Sequence, residues 1–272
     1  MTLSVAEAYP AAGVAIVAAA SAIAYLAGVD AFRRRRGRAW PYGRTAFFLI
    51  GIASGVAAIA SPLDAAGDSH FGAHMVQHLI LTDVTAPFLL LGGPVLLALG
   101  ATRPAVARRV VHVLRSRVAH VLAFPLVTWS TFIIVLWTIH FSPFFEAALE
   151  FAPLHVLEHA LYIGTALLFW LPVIAIGPTP WSDGVFAFPL WMLYLLVAMP
   201  AEGFLGFSIY GATHVLYPRY AAAGLADQQA AGEIMWIGSG FAMFVAFMLV
   251  GIEWSRADRR AGERSDAREA SM

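Results

Sequence analysis

The sequence predicts an all-α integral membrane protein, a bundle of seven transmembrane helices with the N-terminus outside and the C-terminus in the cytoplasm. Three observations support this fold class: a high content of apolar residues, seven long apolar stretches and an uneven distribution of arginine. Hydrophobic residues make up 60% of the chain and charged residues 12%, and the mean hydropathy is +0.73. A soluble globular domain is about half apolar and about a quarter charged, so the composition excludes an ordinary soluble domain.

Seven stretches are long enough to cross a bilayer, which takes roughly 20 apolar residues. In chain order they are residues 9–29, 45–63, 72–99, 118–140, 154–176, 187–211 and 230–253. The first stretch lacks the basic start of a cleaved signal and is followed by arginines, so we expect it to remain as a span. We therefore predict a transmembrane domain over residues 1–255 and a charged cytoplasmic tail over residues 256–272.

The basic residues set the predicted orientation. All 17 are arginine, and all except Arg219 fall between spans one and two, between spans three and four, or after span seven. A chain with seven spans places these three segments on the same side. Because cytoplasmic loops carry an excess of basic residues, that side is predicted to be the cytoplasm.

Seven of the nine histidines fall at predicted outer ends of spans. They are His70, His74, His78, His140, His155, His159 and His214. On a helical wheel, His74 and His78 lie about 40° and 80° from His70, and Gln77 lies about 20° to the other side, so these side chains form one stripe on span three. Asp83 falls about 220° from His70, on the opposite face, and we expect it to tie two helices together.

Span five carries a second histidine pair. His155 and His159 are four residues apart and share one face of the helix. Glu158 flanks them and is placed to accept a hydrogen bond from an imidazole. Two pairs at the same depth indicate a functional cluster, because ionisable residues within spans are costly and usually functional.

Imidazole binds copper, zinc, iron and nickel, and thioether sulfur favours Cu(I). Met75 and Met235 lie near the level of the histidines and are candidate thioether ligands. The chain has no cysteine, which excludes thiolate metal sites and disulfides. Two interpretations are open for Glu202 inside span six: a proton or cation relay, or a hydrogen bond to a neighbouring helix.

Four segments carry a family resemblance: HMVQHLILTDVTAPFLLLGGP at 74–94, WTIHFSPFFEAAL at 137–149, HVLEHALYIGTALLFWLP at 155–172 and YPRYAAAGLADQQAAGEIMW at 217–236. Together they resemble the multi-span bacterial CtaG family of cytochrome c oxidase assembly factors. The resemblance implies a plasma-membrane protein of a bacterium that is needed to make an active haem-copper oxidase through copper supply on the outer side. The family motifs fall on His74, Met75, Gln77, His78, His155, His159, Asp227, Gln228, Gln229 and Gly232.

The leading hypothesis is a chaperone-like assembly factor, not an enzyme, that binds copper as Cu(I) and delivers it to an oxidase subunit. Asp227 and Gln228 would orient the ligands or close the site. The expected partners are that subunit and the lipid bilayer, without nucleic acid. Two alternatives stay open: a b-type haem protein with histidines as axial ligands, and a metal-ion transporter with Glu202 on its path. A metal hydrolase is disfavoured, because the sequence shows no general base paired with an open zinc site.

Overall fold

The computed structural model describes residues 5–174 and 187–269, and these residues are helical apart from short turns. The α-helices are α1 (Val5–Arg36), α2 (Tyr42–Ile59), α3 (Pro62–Gly67), α4 (Phe71–Leu79), α5 (Ala86–Leu91), α6 (Pro94–Ala101), α7 (Pro104–Leu114), α8 (Arg117–Leu122), α9 (Pro125–His140), α10 (Pro143–Glu150), α11 (Ala152–Ile174), α12 (Ala187–Tyr210) and α13 (Gly224–Glu269). A π-helical turn, Ile80–Thr85, joins α4 to α5, and a 3-10 turn, Pro218–Tyr220, precedes α13.

Six helical stretches in the described ranges are long and apolar enough to cross a membrane. They are Ala12–Arg36, Tyr42–Ile59, Phe71–Ala101, Ala152–Ile174, Phe188–Tyr210 and Gly224–Arg264. The prediction of an all-helical protein with several membrane-length apolar helices is therefore confirmed for the described residues. The inside–outside orientation stays a prediction, and the turn between predicted spans five and six lies outside the described residues.

The fourth predicted span, over residues 118–140, is not one continuous helix. Helix α9 covers only Pro125–His140, and it meets α10 at an angle of 70°. Proline begins both helices, at Pro125 and Pro143, where its missing N–H and fixed φ suit the first turn but not continuation of a preceding helix. The described residues thus hold six candidate spans, or up to seven if this bent pair is one span.

Helices α12 and α13 form one wall of the bundle with their backbones in direct contact. A Cβ atom on Gly232 would lie 2.4 Å from the backbone nitrogen of Tyr210, and one on Gly206 would lie 2.7 Å from the carbonyl oxygen of Gly232. Only glycine allows helices to approach this closely. Glu202 on α12 and Met235 on α13 consequently face the same interior space.

The π-helical turn changes the direction of side chains after Leu79. A π turn bonds each N–H to a carbonyl five residues back, so a uniform rotation of about 100° per residue no longer applies. The indole Nε1 of Trp170 donates to the Thr82 carbonyl oxygen at 2.9 Å, and the Thr82 hydroxyl donates to the His78 carbonyl oxygen at 2.9 Å. Side-chain hydrogen bonds therefore fix the irregular backbone directly below the histidines.

Candidate metal centre

Three helices bring five histidines into one cluster. His74 and His78 come from α4, His140 from the last residue of α9, and His155 and His159 from α11. The ring centroids of His74 and His78 lie 4.3 Å apart, and those of His155 and His159 lie 4.4 Å apart. Across helices, the His74–His155 distance is 5.5 Å, the His78–His159 distance 5.7 Å and the His78–His140 distance 6.1 Å. We call these five residues the histidine cluster.

The rings of the cluster are hidden from solvent but leave nitrogen atoms without hydrogen-bond partners. His74, His78, His140 and His159 are buried, and His155 is half-buried. The Nε2 atoms of all five rings, and Nδ1 of His78, have no partner among the described residues. Buried polar atoms are nearly always paired, and an unpaired one costs about 1–3 kcal/mol. Six such atoms in one place are typical of a site that holds a ligand.

His140 is oriented as a metal ligand. Its Nδ1 lies 2.8 Å from the carbonyl oxygen of Leu136 in the preceding turn and 3.2 Å from the hydroxyl of Tyr162. A ring nitrogen must carry a hydrogen to bond a carbonyl oxygen, so in the neutral ring Nε2 keeps its lone pair. Histidines that bind metals commonly donate their second nitrogen to a backbone carbonyl in this way.

Glu158 joins the cluster from α11. Its side chain is fully buried, and its Oε1 lies 3.7 Å from Nε2 of His78. His74, His78 and Glu158 each offer one ligand atom, and these three atoms lie within 4.8 Å of one another. Two atoms bound to one ion at about 2.1 Å are at most about 4.2 Å apart. A small inward movement of the side chains would therefore place all three atoms around one ion.

A small cavity lies beside the cluster. His78, His140, Met75, Met235 and Glu202 contribute to its wall, and its volume is about 10 Å³. This is close to the room that one water molecule or one ion needs. Both thioethers are buried, with Met75 1% and Met235 5% exposed. Imidazole and thioether groups around a closed space form a donor set that suits Cu(I).

Two carboxyl groups within the helices have buried oxygen atoms without hydrogen-bond partners in the described ranges. Glu202 contributes to the cavity wall, and its Oε1 has no partner among the described residues. Neither carboxyl oxygen of Asp83, on the π-helical turn, has a partner in that part of the chain. The expected hydrogen bond from Asp83 to a neighbouring helix is therefore not formed within the described residues, and both interpretations of Glu202 stay open.

The segment over residues 211–223, which we call the closing segment, hydrogen-bonds to the end of α9, which carries His140, and to the end of α3, which precedes α4. The hydroxyl of Tyr217 donates to the carbonyl oxygen of His140 at 3.0 Å, and that of Tyr220 donates to the carbonyl oxygen of Gly67 at 2.8 Å. Burial raises the pKa of both hydroxyls, so both stay protonated and act as donors.

Asp227 and Gln228, at the start of α13, hydrogen-bond to α4 and to the closing segment, respectively. Oδ2 of Asp227 accepts a hydrogen bond from the backbone N–H of Phe71, the first residue of α4, at 2.6 Å. Gln228 accepts from the N–H of Leu216 at 2.6 Å and donates to the carbonyl oxygen of His214 at 3.1 Å. Asp227 therefore caps the helix of His74 and His78, and Gln228 shapes the closing segment.

Two of the seven predicted histidines, His70 and His214, lie outside the histidine cluster, and Gln77 bonds away from it. His70 and His214 have exposed side chains, and Nδ1 of His70 bonds with the hydroxyl of Ser69 at 3.0 Å. Gln77 is buried and donates to Oδ1 of Asp64 at 2.5 Å, which ties α4 to α3. Burial raises the pKa of the Asp64 carboxyl, and the hydrogen bond from Gln77 offsets part of that shift.

Hydropathy and helical spacing did not identify several residues that shape the site. Tyr217 and Tyr220 lie in the segment YPRY, to which the sequence alone assigned no role. Tyr162, by contrast, follows from helical spacing, because it falls on the same stripe of span five as His155 and His159. Phe145 packs against the rings of His74 and His140, with centroids 5.4 Å and 5.6 Å away. Their shared signal is an aromatic residue near a predicted ligand, which gains meaning only once the helices are packed.

Comparison with known proteins agrees with the family resemblance. Residues 23–257 match the family model described as "Cytochrome c oxidase caa3 assembly factor (Caa3_CtaG)". Uncharacterized proteins of Mycobacterium bovis and Mycobacterium tuberculosis are each 31% identical over 261 residues, and one of Mycobacterium leprae is 26% identical over 259 residues.

Each of these alignments covers 90% of this chain and 39% of the relative, so the chain spans about two fifths of the length of these relatives. No solved structure matches the chain. The family match extends over most of the helical bundle, including all five residues of the histidine cluster. The chain belongs to the Caa3_CtaG family of cytochrome c oxidase caa3 assembly factors.

Proposed function

We propose that this protein supports the assembly of a haem-copper cytochrome c oxidase by binding copper in the histidine cluster and passing it to an oxidase subunit. The observation that supports this function best is the set of five clustered imidazole rings whose Nε2 atoms have no hydrogen-bond partner within residues 5–174 and 187–269. Delivery of an ion requires no bond of a substrate to be broken, so the protein acts as a metal chaperone and not as an enzyme.

The donor set favours copper in the Cu(I) state. His74, His78 and Glu158 offer one position for the ion, and the cavity beside them adds the thioethers of Met75 and Met235. Soft thioether sulfur favours Cu(I) over the harder divalent ions. The carboxylate of Glu158 would balance the positive charge of the ion in an interior where an isolated charge is strongly disfavoured.

The packing supports an ion over a haem group. Haem needs a slot between two axial histidines that accepts a whole porphyrin ring. In this site the imidazole rings contact one another directly, and the adjoining cavity measures only about 10 Å³. An ion fits this space without rearrangement of the helices, whereas a porphyrin requires α4, α9 and α11 to separate.

The proposal is tested by loading the full chain, purified in detergent, with Cu(I) under anaerobic conditions. Copper per chain is measured by elemental analysis, and affinity by competition with a chromophoric Cu(I) chelator. We expect stoichiometric binding, loss of binding in H78A/H140A, and unchanged binding in H112A, which removes an exposed histidine on α7. Circular dichroism establishes that each variant keeps its helical content.

Two results would overturn the proposal. One is the absence of stoichiometric copper in the wild-type protein, and the other is unchanged affinity in folded H78A/H140A. A Soret band in protein purified without added metal would instead identify a haem protein. Copper accumulation inside sealed vesicles would identify a transporter.

A further inference from the structure

A basic groove lies where α1, α2 and α6 end or begin, well away from the histidine cluster. Its volume is about 440 Å³. Phe32, Trp40 and Leu96 form apolar parts of its wall, and three arginines, Arg36, Arg38 and Arg44, contribute to its rim. Among the described residues that line it, none is acidic. The groove therefore combines an apolar surface with a local excess of positive charge.

The floor of the groove is rigid. Nε1 of Trp40 donates to the hydroxyl of Tyr25 at 2.9 Å, and that hydroxyl donates to the carbonyl oxygen of Gly92 at 2.8 Å. The rings of Phe32 and Trp40 meet edge to face with centroids 5.0 Å apart. Trp40, Phe32 and Tyr25 are each 5% exposed, so the aromatic floor belongs to the packed interior.

Neutral groups hold the three arginines in place. The guanidinium carbon of Arg38 lies 5.7 Å from the ring centroid of Phe32, and that of Arg44 lies 5.2 Å from the ring of Trp40. Nε of Arg36 donates to the carbonyl oxygen of Gly100 at 3.3 Å. Because aromatic faces and a carbonyl do not neutralise a guanidinium, the charge of all three side chains remains available to an anion.

We propose that this groove binds an anionic phospholipid, with its phosphate against the arginines and the start of an acyl chain along the apolar wall. Guanidinium groups match phosphate geometry, and basic pockets between helices are typical sites for acidic headgroups. The groove lies at the ends of membrane-length helices, next to Tyr42, which is 87% exposed at the start of α2. Exposed tyrosine is typical of the membrane–water interface.

The lipid site is independent of the metal centre. Both adjoin the same 31-residue helical stretch, Phe71–Ala101, but His74 lies near its beginning and the groove lies near its end at Gly100. At about 1.5 Å per residue these places are on opposite sides of a bilayer. Failure of copper binding would consequently leave the lipid proposal intact, and the reverse also holds.

The test is a titration of delipidated, full-length protein in detergent with phosphatidylglycerol, phosphatidylcholine or inorganic phosphate, with bound molecules counted by native mass spectrometry. We expect selective binding of phosphatidylglycerol. R38Q/R44Q should weaken it by about 25-fold, since each arginine near an acidic headgroup contributes roughly a factor of five. The matched control, R33Q/R35Q, removes two exposed charges of the same arginine run that do not line the groove, and should change binding little.

A further variant, R38K/R44K, keeps both charges and should retain most of the phosphatidylglycerol binding. It is the variant to measure if R38Q/R44Q fails to fold. Equal losses in R38Q/R44Q and R33Q/R35Q would show a diffuse charge effect and overturn the proposal. Phosphatidylcholine bound as tightly as phosphatidylglycerol, or inorganic phosphate that displaces the lipid, would overturn it as well.

Discussion

Nε2 of His78 on α4 lies 3.7 Å from Oε1 of Glu158 on α11, and both side chains are buried. Neither atom forms a hydrogen bond with another described residue. A carboxyl group at the start of a membrane helix is usually a solvated charge, but Glu158 faces the interior. A cation between the two atoms would be bound by both of them. Substitution of Glu158 is therefore the first test of the site.

E158Q should lower copper affinity by about 10- to 100-fold, the range seen when a group beside a metal site is changed. The amide keeps the volume of the side chain but removes the negative charge that faces the ion. Chelator competition measures the effect. E150Q changes an exposed carboxylate at the end of α10 and should bind copper as the wild type does. Equal affinity of E158Q and the wild type would exclude Glu158 from the site.

Copper binding should stabilise the protein against heat. Six ring nitrogen atoms of the cluster have no partner in the described part of the chain, and an ion bound only by the folded state adds stability. The gain is about 2.7 kcal/mol when free copper exceeds its Kd a hundredfold. Differential scanning fluorimetry should show a higher Tm on loading and its reversal by a Cu(I) chelator.

The same Tm experiment has an internal control. H112A should keep the copper-dependent shift, because His112 is exposed on α7, and H78A/H140A should lose it. Stoichiometric copper without any change in Tm would contradict binding at the unpartnered nitrogens and indicate a surface site.

D227A should loosen the start of α4. Asp227 accepts the N–H of Phe71, and loss of such a cap typically costs about 1 kcal/mol of stability. Because α4 carries His74 and His78, copper affinity should fall together with Tm. D227N keeps an oxygen acceptor and should restore both quantities. D258A, which changes an exposed carboxylate of α13, provides the comparison. If D227N were as impaired as D227A, the negative charge and not the hydrogen bond would be the essential property.

G232A should destabilise the bundle, by about 1–3 kcal/mol, the usual range for overpacking. The added methyl group would lie 2.4 Å from the backbone nitrogen of Tyr210 and 2.6 Å from the carbonyl oxygen of Gly206. G240A, on the same helix, adds a methyl group with nothing within 4 Å and should leave Tm unchanged or slightly higher. The Tm values of G232A and G240A are compared by thermal unfolding in one detergent. Equal Tm values would show that α12 and α13 separate easily.

The histidine cluster was largely predictable, because two HxxxH pairs at one predicted depth specify which helix faces meet. His74, His78, His155 and His159 follow from spacing, and His140 follows from its position at the end of a predicted span. Spacing placed His70 in the same stripe, but α4 begins only at Phe71, so His70 precedes the helix. Helical periodicity cannot locate a side chain at a position where the helix has not yet begun.

Other features depended on tertiary packing and could not follow from a single sequence. The π-helical turn at Ile80–Thr85 shows no composition signal, and a wheel with constant rotation therefore could not give the direction of the Asp83 side chain. The bend after His140 follows the end of the fourth predicted span, and α10 was not predicted because its eight residues are too few to cross a bilayer. Gly232 is part of a family motif, but the sequence did not show its role. In the structure the backbone of Tyr210 packs directly against it.

The closing segment bonds to backbone carbonyls beside the histidine cluster and not to the imidazole nitrogens, which under the proposed function bears on the time at which copper would leave. Tyr217 bonds to the end of α9, and Tyr220 bonds to the end of α3, just before α4. A receiving subunit that draws the segment away would release both contacts in a single event, one on the helix that carries His140 and one on the helix that precedes His74 and His78. Faster hydrogen exchange across residues 211–223 on addition of that subunit would reveal such an opening. Copper would then be released only into a docked complex, which protects the cell from free copper during the transfer.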